Sequence, residues 1–371
     1  MELLGKSKQE LQAYCRSLGE PAYRGAQLYH ALYAERNLDV AAMSNLPAAL
    51  RAKLASDAKI TLPSVRQKYA STDGSVRYLF GLSAPEDQPR MKAAAVEAVF
   101  MPGEGRQTIC ISTQAGCTVD CQFCLTAQLG LIRNLTPGEI LAQVLLPLVE
   151  ISGPGTGRTE AAASENELAA RTNVVLMGQG EPLLNFENTF DALRILLDKD
   201  GVGLSPKHVT LSTSGVLPGI GRMAKEKVRP KLAISLNASN DEQRDVLMPI
   251  NRKYPLKDLL AACRNYPLRN WEHLTFEYVM LGGVNDAPED ARRVVKLLAP
   301  LKRVKVNLIP WNPGELPFTE SSDERIEEFR RILTDRGVPA FVRYSRGRDV
   351  MAACGQLALI EVNRSPLTVT G

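Results

Sequence analysis

Three cysteines stand close together in the segment GCTVDCQFC, where Cys117, Cys121 and Cys124 form the pattern CxxxCxxC. Soft thiolates in such clusters select zinc or iron–sulfur centres. Three of them can hold three irons of a [4Fe-4S] cluster and leave the fourth iron open to a substrate. Structural zinc usually takes four protein ligands, and the loop offers only three, so a zinc site would need a distant cysteine to complete it. We expect a [4Fe-4S] cluster here.

A second candidate site is the segment MGQGEP, which contains Gly178, Gly180 and Glu181. The two glycines allow the backbone to approach a ligand closely, and the carboxylate of Glu181 is suited to bind an ammonium group. Taken alone, the same residues are equally typical of a plain turn.

Further polar groups follow three other apolar segments, HVTLST, KLAISLNAS and VNLIPWNP. Hydroxyl and amide groups at such places can bind the sugar or carboxylate of a ligand, although each is individually typical of a cap or turn. The residues concerned are Ser212, Ser235, Leu236, Asn237 and Asn312.

The elements that must position these residues alternate regularly from Thr108 onward. Six short β-rich segments, TICIS, NVVLMG, HVTLST, KLAISL, HLTFEYVML and VKVNLIP, are separated by amphipathic helical stretches. This alternation predicts an α/β fold of βα units with a parallel sheet, and six units predict a partial (β/α)6 barrel. In such barrels the active site lies at the C-terminal ends of the strands, where all the motifs above fall.

The rest of the chain divides into three parts. Apolar residues at helical spacing (Leu11, Cys15 and Leu18, then Leu28, Leu32 and Tyr33) predict a small N-terminal helical domain over residues 1–65. Residues 66–105, with a turn at Asp73-Gly74, predict a β hairpin and a bridging strand. The barrel then spans 106–350, and 351–371 form a C-terminal loop and tail. Within the barrel, SGPGTGRTEAAASENELAAR predicts a surface loop.

Composition places the chain among ordinary globular proteins. Of its 371 residues 44% are hydrophobic and 23% charged, and no apolar run is long enough to cross a membrane. Seven cysteines, an odd number, favour a metal or redox site in the reducing cytoplasm over a secreted disulfide framework. The net charge of +4 permits a nucleic-acid partner without requiring one.

The cysteine pattern, with Phe123 before the third cysteine, resembles the signature of the radical S-adenosylmethionine (SAM) superfamily. The resemblance implies that the open iron chelates SAM. A Gly-Gly-Glu type motif holds the SAM amino group in that superfamily, and Gly180-Glu181 stand at the corresponding place. It also implies SAM contacts from the strand-end residues Ser212, Ser235, Leu236, Asn237 and Asn312.

A closer resemblance covers nearly the whole chain. The segments TICISTQAGCTVDCQFCLTAQLG, VVLMGQGEPLLN, VTLSTSGV, AISLNAS, VNLIPWNP and RGRDVMAACGQL are similar to the bacterial adenine-C2 RNA methyltransferase family. That family modifies 23S rRNA and, in some members, tRNA. The chain departs from it at Gln179, where Met is common, and at Asn237, where His is common. Asparagine keeps a hydrogen-bond donor and acceptor but lacks the imidazole.

This resemblance implies roles for three further residues. Cys354 corresponds to a cysteine that is methylated by one SAM, and a radical from a second SAM then activates this methyl group for attack on adenine C2. Cys110 corresponds to its partner, which frees the product by forming a transient disulfide, and Glu97 to a proton acceptor. Without the resemblance, both cysteines would be interpreted as buried apolar residues and Glu97 as a paired strand carboxylate.

The implied partners are 23S rRNA, possible tRNA substrates and an electron donor such as flavodoxin or ferredoxin, with the enzyme a monomer. Basic residues of the helical domain mildly favour RNA, although such charges usually form only a solvated face. They are Lys6, Lys8, Arg16, Arg24 and Arg36. Three alternatives remain open: a relative that methylates adenine C8 and confers antibiotic resistance, a radical SAM enzyme acting on a small molecule or a protein glycyl radical, and a noncatalytic iron–sulfur or zinc RNA-binding protein.

Overall fold

One large sheet organises the chain. The computed structural model describes residues 1–84, 92–152 and 171–357. Its strands are β1 Ser64–Ala70, β2 Val76–Leu82, β3 Ala94–Met101, β4 Gln107–Cys110, β5 Gln114–Gly116, β6 Leu131–Asn134, β7 Thr172–Leu176, β8 Val209–Thr213, β9 Lys231–Ser235, β10 Leu274–Met280, β11 Val304–Pro310 and β12 Ala340–Val342. Ten of them form one sheet in the order β1-β2-β3-β4-β7-β8-β9-β10-β11-β12, and β5 pairs with β6 separately.

The direction of pairing changes at β4. Strands β1 to β4 pair antiparallel, whereas β4, β7, β8, β9, β10, β11 and β12 are all parallel. The six predicted barrel strands are β4 and β7 to β11, so the predicted barrel is confirmed. The three-residue strand β12 adds a seventh parallel strand. Because parallel strands end at the same edge, their C-terminal residues meet there.

The helices are α1 Lys8–Ser17, α2 Ala22–Tyr33, α3 Ala48–Asp57, α4 Leu125–Gln128, α5 Pro137–Ser152, α6 Phe186–Leu197, α7 Leu217–Met223, α8 Asp241–Leu247, α9 Leu256–Arg264, α10 Pro288–Leu298 and α11 Asp323–Thr334. The longer ones between parallel strands, such as α5, α6 and α10, are the crossover helices that the amphipathic segments predict. Their apolar residues pack against the sheet in one core.

The N-terminal helices form where the spacing predicts them. A capping box between Ser7 and Glu10 begins α1, and the domain's apolar side chains belong to the same core as those of the barrel. Two polar contacts also join the parts: the Tyr29 hydroxyl donates to Asp198 at 3.0 Å, and Lys8 pairs with Asp200 at 2.9 Å. The domain is therefore packed onto the barrel.

The hairpin β1–β2 turns at Asp73-Gly74, as predicted, and Gly74 adopts a left-handed φ of 82°. Strand β1 begins at Ser64, two residues before the predicted start of the hairpin segment at residue 66. Most of the predicted surface loop, residues 153–170, and tail residues 358–371 lie outside the described residues. Within the described ranges, no helix has the length and apolarity to cross a membrane.

Candidate active site

A cavity opens at the C-terminal ends of the parallel strands and collects most of the predicted site residues. Those that line it are Cys117, Cys121, Cys124, Gly180, Glu181, Ser212, Ser235, Asn237, Asn312 and Cys354. Three predicted site residues, Glu97, Cys110 and Leu236, are not in its lining. The strand order explains the convergence, because each of these ten residues comes from the cysteine loop, a strand end or a loop that follows one.

The cysteine loop is held by backbone hydrogen bonds rather than by side-chain pairing of the thiols. The N–H of Cys117 donates to the Gly130 carbonyl at 3.1 Å, and that of Cys124 donates to the Cys121 carbonyl at 3.1 Å. Behind the loop, the indole N–H of Trp311 donates to the Phe123 carbonyl at 3.3 Å. None of the three cysteines forms a disulfide, and all three are partly exposed.

The donor set fits an iron–sulfur cluster better than a single ion. Within the described ranges, no three His, Cys, Asp or Glu side chains converge closely enough to hold one metal ion. A cubane cluster does not require such convergence, because each thiolate binds a different iron. Burial raises the pKa of Cys117 to about 12 and that of Cys121 well above its usual range, so metal binding must displace their protons.

Glu181 is held rigidly in the cavity wall. Its carboxylate accepts hydrogen bonds from the Leu183 N–H at 3.0 Å and from the N–H and hydroxyl of Ser214 at 2.7 and 2.8 Å. Burial raises its pKa, and these hydrogen bonds oppose the rise. Gly180 beside it has φ 94°, and a β-carbon there would lie 2.5 Å from Cβ of Gln114, so this position requires glycine.

The strand-end polar groups lie on neighbouring strands. The hydroxyls of Ser212 and Ser235 are 3.5 Å apart. Asn237 adopts a left-handed φ of 55°, accepts from the Val279 N–H at 2.9 Å and donates to the Met248 sulfur at 3.3 Å. The amide that replaces the family's histidine is therefore already bonded within the protein.

The side chain of Leu236 points away from the cavity. Its side chain is fully buried in the apolar core. Its N–H donates to the Glu277 carbonyl at 2.9 Å, and its carbonyl accepts from Nε of Arg244 at 3.1 Å. The backbone groups of Leu236 are thus already satisfied.

Glu97 lies in the antiparallel part of the sheet, where its side chain is fully buried. It forms an ion pair with Arg77, which is equally buried and sits diagonally across strands β2 and β3. The Arg77 guanidinium also stacks 4.1 Å from the ring centre of Tyr69. The sequence could not establish which way the Glu97 side chain points. In the structure it points toward Arg77.

Cys354 reaches the cavity on the loop that follows β12. The loop is fixed on the cavity side by three hydrogen bonds: Asn312 Nδ2 to the Cys354 carbonyl at 3.2 Å, Leu125 N–H to the Gly355 carbonyl at 2.8 Å, and the Thr126 hydroxyl to the Leu357 carbonyl at 2.6 Å. Asn312 therefore contacts the loop that carries Cys354.

Burial raises the pKa of the Cys354 thiol, and the charge of a Cys110 thiolate raises it further. Cys110 contacts the small apolar cluster in which Val350, Ala352 and Leu357 pack against β1 and β3. Burial raises the pKa of Cys110 to about 12. Cys354 has an exposed surface because it faces the cavity, yet the protein around it also raises its pKa through burial.

Two charged residues of the site were missed from sequence. Glu277 lines the cavity from the middle of β10, and its signal was a lone acid in the apolar segment HLTFEYVML. Arg244 is fully buried and donates to the Ser214 and Ser235 carbonyls at 2.7 and 3.0 Å. Burial lowers its pKa to about 10, and its charge acts on Cys121. Its segment NDEQRDVL is typical of an exposed helix.

Comparison with known families identifies both parts of the chain. Residues 111–298 match the radical SAM superfamily, and residues 1–60 match the ribosomal RNA large subunit methyltransferase N-terminal domain. The probable dual-specificity RNA methyltransferase RlmN of Koribacter versatilis (strain Ellin345) is 47% identical over 93% of this chain and 98% of its own length. The dual-specificity RNA methyltransferase RlmN of Anaeromyxobacter dehalogenans (strain 2CP-C) is 42% identical over 96% of this chain and 91% of its own.

A solved structure agrees with these similarities. The crystal structure of a radical SAM methyltransferase from Sphaerobacter thermophilus superposes with a TM-score of 0.84 at 41% sequence identity. The match covers 96% of this chain and 99% of that one. The similarity therefore extends over the helical domain, the hairpin and the barrel together.

Proposed function

The chain belongs to the RlmN family of radical SAM methyltransferases, and on that premise we propose that it methylates C2 of adenine in 23S rRNA and in tRNA. The names of its relatives, dual-specificity RNA methyltransferases, support an RNA substrate. The match to a ribosomal RNA large subunit methyltransferase N-terminal domain supports rRNA as one substrate. The observation that carries the proposal is the shared cavity, which is lined both by Cys354 and by the three cysteines of the cluster loop. A methyl carrier beside a SAM site is what this reaction requires.

The enzyme uses a [4Fe-4S] cluster and SAM, with Cys117, Cys121 and Cys124 proposed as the cluster ligands. An aromatic C–H such as adenine C2 is not nucleophilic, and the bound cofactors supply the radical chemistry that such a carbon needs. For SAM itself we propose contacts from the groups that line the cavity. They are Gly180, Glu181, Ser212, Ser235, Asn237 and Asn312, with Leu236 contributing only through its position between Ser235 and Asn237.

Two of the other four cysteines have separate proposed roles, one in carrying the methyl group and one in releasing the product. Cys354 accepts a methyl group and presents it to adenine. After the new carbon–carbon bond forms, the Cys110 thiolate attacks the Cys354 sulfur, which breaks the bond to the product and leaves a disulfide between the two cysteines. The packing of Cys110 against the loop that carries Cys354 supports this sequence. Glu97 stays a proposed proton acceptor, and its ion pair with Arg77 means that it would act as a carboxylate.

For RNA binding, the helical domain offers fewer unpaired cations than its sequence suggests. Lys6 pairs with Glu10, Lys8 pairs with Asp200, and Arg36 is buried. Arg16 is exposed, and Arg24 lies 4.8 Å from the ring centre of Tyr23, itself 54% exposed. We propose that a face formed by Arg16, Tyr23 and Arg24 contacts the RNA. The arginines would bind phosphate, and the Tyr23 ring would stack on a base.

Three further expectations stay proposals. We propose the division into residues 1–65, 66–105, 106–350 and 351–371, a cytoplasmic monomer, and electron supply by flavodoxin or ferredoxin. The 1–60 match supports the first boundary.

The deciding experiment is mass analysis of 23S rRNA and tRNA from a strain lacking the gene, with and without the gene restored. We expect 2-methyladenosine to disappear from both RNAs and to return on complementation. Appearance of 8-methyladenosine on complementation would instead assign the chain to the C8-methylating relatives. Unchanged RNA in both strains would contradict an RNA substrate.

A further inference from the structure

Glu277 lines the same cavity as Cys354 and has no part in the reaction as described so far. Only 7% of its surface is exposed. Asn307, its neighbour on β11, donates from Nδ2 to Oε1 of Glu277 at 3.0 Å. Among the described residues this is the only side-chain hydrogen bond of the carboxylate, and none of them forms an ion pair with it. A buried carboxylate with a spare oxygen in a cavity is suited to take a proton.

The charges around Glu277 come from two elements and from the Cys354 loop. Lys305 on β11 and Arg343 after β12 favour its charged form, but burial outweighs them and raises its pKa to about 7. The Glu277 carboxylate and a Cys354 thiolate repel each other, which is one cause of the raised pKa of Cys354. The two groups therefore hold one negative charge more easily than two.

The proposed reaction contains a step that needs a proton acceptor. A cysteine takes a methyl group as a thiolate, whereas burial keeps Cys354 protonated at neutral pH. Among the residues that the structure describes, Glu181 and Glu277 are the two carboxylates in the cavity lining. Glu181 already accepts three hydrogen bonds, and Glu97 is outside the lining and paired with Arg77. Glu277 is left as the carboxylate with free capacity and a pKa suited to acid–base catalysis.

We propose that Glu277 accepts the thiol proton of Cys354 as this cysteine takes its methyl group from SAM. The inference rests on the methyl-carrier role proposed above. The S–H bond of Cys354 breaks and its proton passes to the Glu277 carboxylate. The S–CH3 bond forms while the methyl–sulfonium bond of SAM breaks, its electron pair staying on sulfur to give S-adenosylhomocysteine. One sulfonium cation and one carboxylate anion are replaced by two neutral groups, so charge and atoms balance.

The test measures methylation of Cys354 directly. Reconstituted enzyme with unmethylated Cys354 is mixed with SAM carrying a CD3 group, and label on the Cys354 peptide is followed by mass spectrometry. We expect Glu277→Gln to slow labelling by about 100-fold or more, the usual contribution of a general base. Glu277→Asp, which keeps a carboxylate, should label faster than Glu277→Gln. Iron and sulfide content establishes that each variant carries its cluster, and Glu277→Asp is the deciding comparison if Glu277→Gln does not.

A second measurement distinguishes Glu277 acting as a general base from Glu277 acting only through its charge. Alkylation of Cys354 by iodoacetamide, without SAM, reports the equilibrium fraction of thiolate. Removing the carboxylate removes a repulsion, so Glu277→Gln should alkylate at least as fast as wild type while methylating more slowly. Methylation as fast as wild type in Glu277→Gln, or slowing of both reactions to the same degree, would overturn the role of Glu277. A wild-type enzyme that never labels Cys354 would overturn the methyl-carrier mechanism itself.

Discussion

Asp73, at the turn of the β1–β2 hairpin, accepts a hydrogen bond at 2.9 Å from the backbone N–H of Gly347, in the loop that leads to Cys354. The same carboxylate pairs with Arg346 at 3.4 Å. Close by, the Ser71 hydroxyl donates to Asp349 at 2.5 Å. The hairpin thus anchors the side of the Cys354 loop that lies away from the cavity.

Asp73→Ala should loosen this loop, because a hydrogen bond to a charged group contributes about 1.5–3 kcal/mol and partial exposure of Asp73 reduces that value. Hydrogen exchange of residues 345–357 should become several-fold faster, and labelling of Cys354 by SAM should fall. Asp73→Asn, which keeps an acceptor for Gly347, is the matched control and should be less affected. Unchanged exchange in both variants would show that the hairpin does not hold the loop.

The buried pair of Arg77 and Glu97 predicts that the losses of stability in single and double variants are not additive. Glu97→Gln or Arg77→Met leaves one charge buried without its partner, which costs about 3–5 kcal/mol. The double variant should lose less than the sum of the single ones, as urea unfolding under anaerobic conditions would measure. Glu289→Gln, which breaks the exposed pair with Arg292, is the control and should cost far less stability than either buried variant. Additive losses would argue against coupling of the two residues.

The cluster ligands predict a spectroscopic result. Replacing Cys117, Cys121 or Cys124 by Ala should abolish the charge-transfer absorbance of the reconstituted protein, since each thiolate holds a separate iron. Cys15→Ala, a buried cysteine of α1, should retain the absorbance. If all three ligand variants kept a full cluster, the assignment would be wrong.

The two-cysteine mechanism predicts different fates for its two variants. Cys110→Ala should accumulate a covalent link between Cys354 and RNA, because no thiolate remains to break it, whereas Cys354→Ala should carry neither methyl group nor RNA. Cys263→Ala, outside the cavity lining, should give no adduct. Denaturing gels of each folded, cluster-containing variant with its RNA measure this. An adduct-free Cys110→Ala protein would contradict the mechanism.

The raised pKa of Glu277 predicts how stability changes with pH. The fold disfavours the charged form of Glu277. The contribution of the protonated carboxyl to the free energy of unfolding is therefore fully present below the ordinary pKa of 4.5 and is lost as pH rises through about 7. A shift of this size corresponds to about 3 kcal/mol. The free energy of unfolding of Glu277→Gln, relative to that of wild type, should therefore rise by about that amount between pH 4.5 and pH 8. Unfolding at both pH values would measure this difference. A constant difference between the two proteins would contradict the shift.

Much of the fold follows from local patterns in the sequence. The six β-rich segments became β4 and β7 to β11, and the Asp73-Gly74 turn formed where it was predicted. The cysteine motif and the strand-end polar residues were also identifiable, because a short spacing or a position at a strand end is itself a local property. Comparison with relatives then established the family.

The partners of the site residues depended on packing between distant segments. Sequence could not show that Glu97 faces Arg77, that Leu236 turns into the core, or that Glu277 reaches the cavity, since each depends on which face of a strand is covered. The approach of Cys354 to Cys110 was implied by family resemblance alone. Its physical basis is the Cys354 loop, held against β1 and β3 by contacts between residues far apart in the chain.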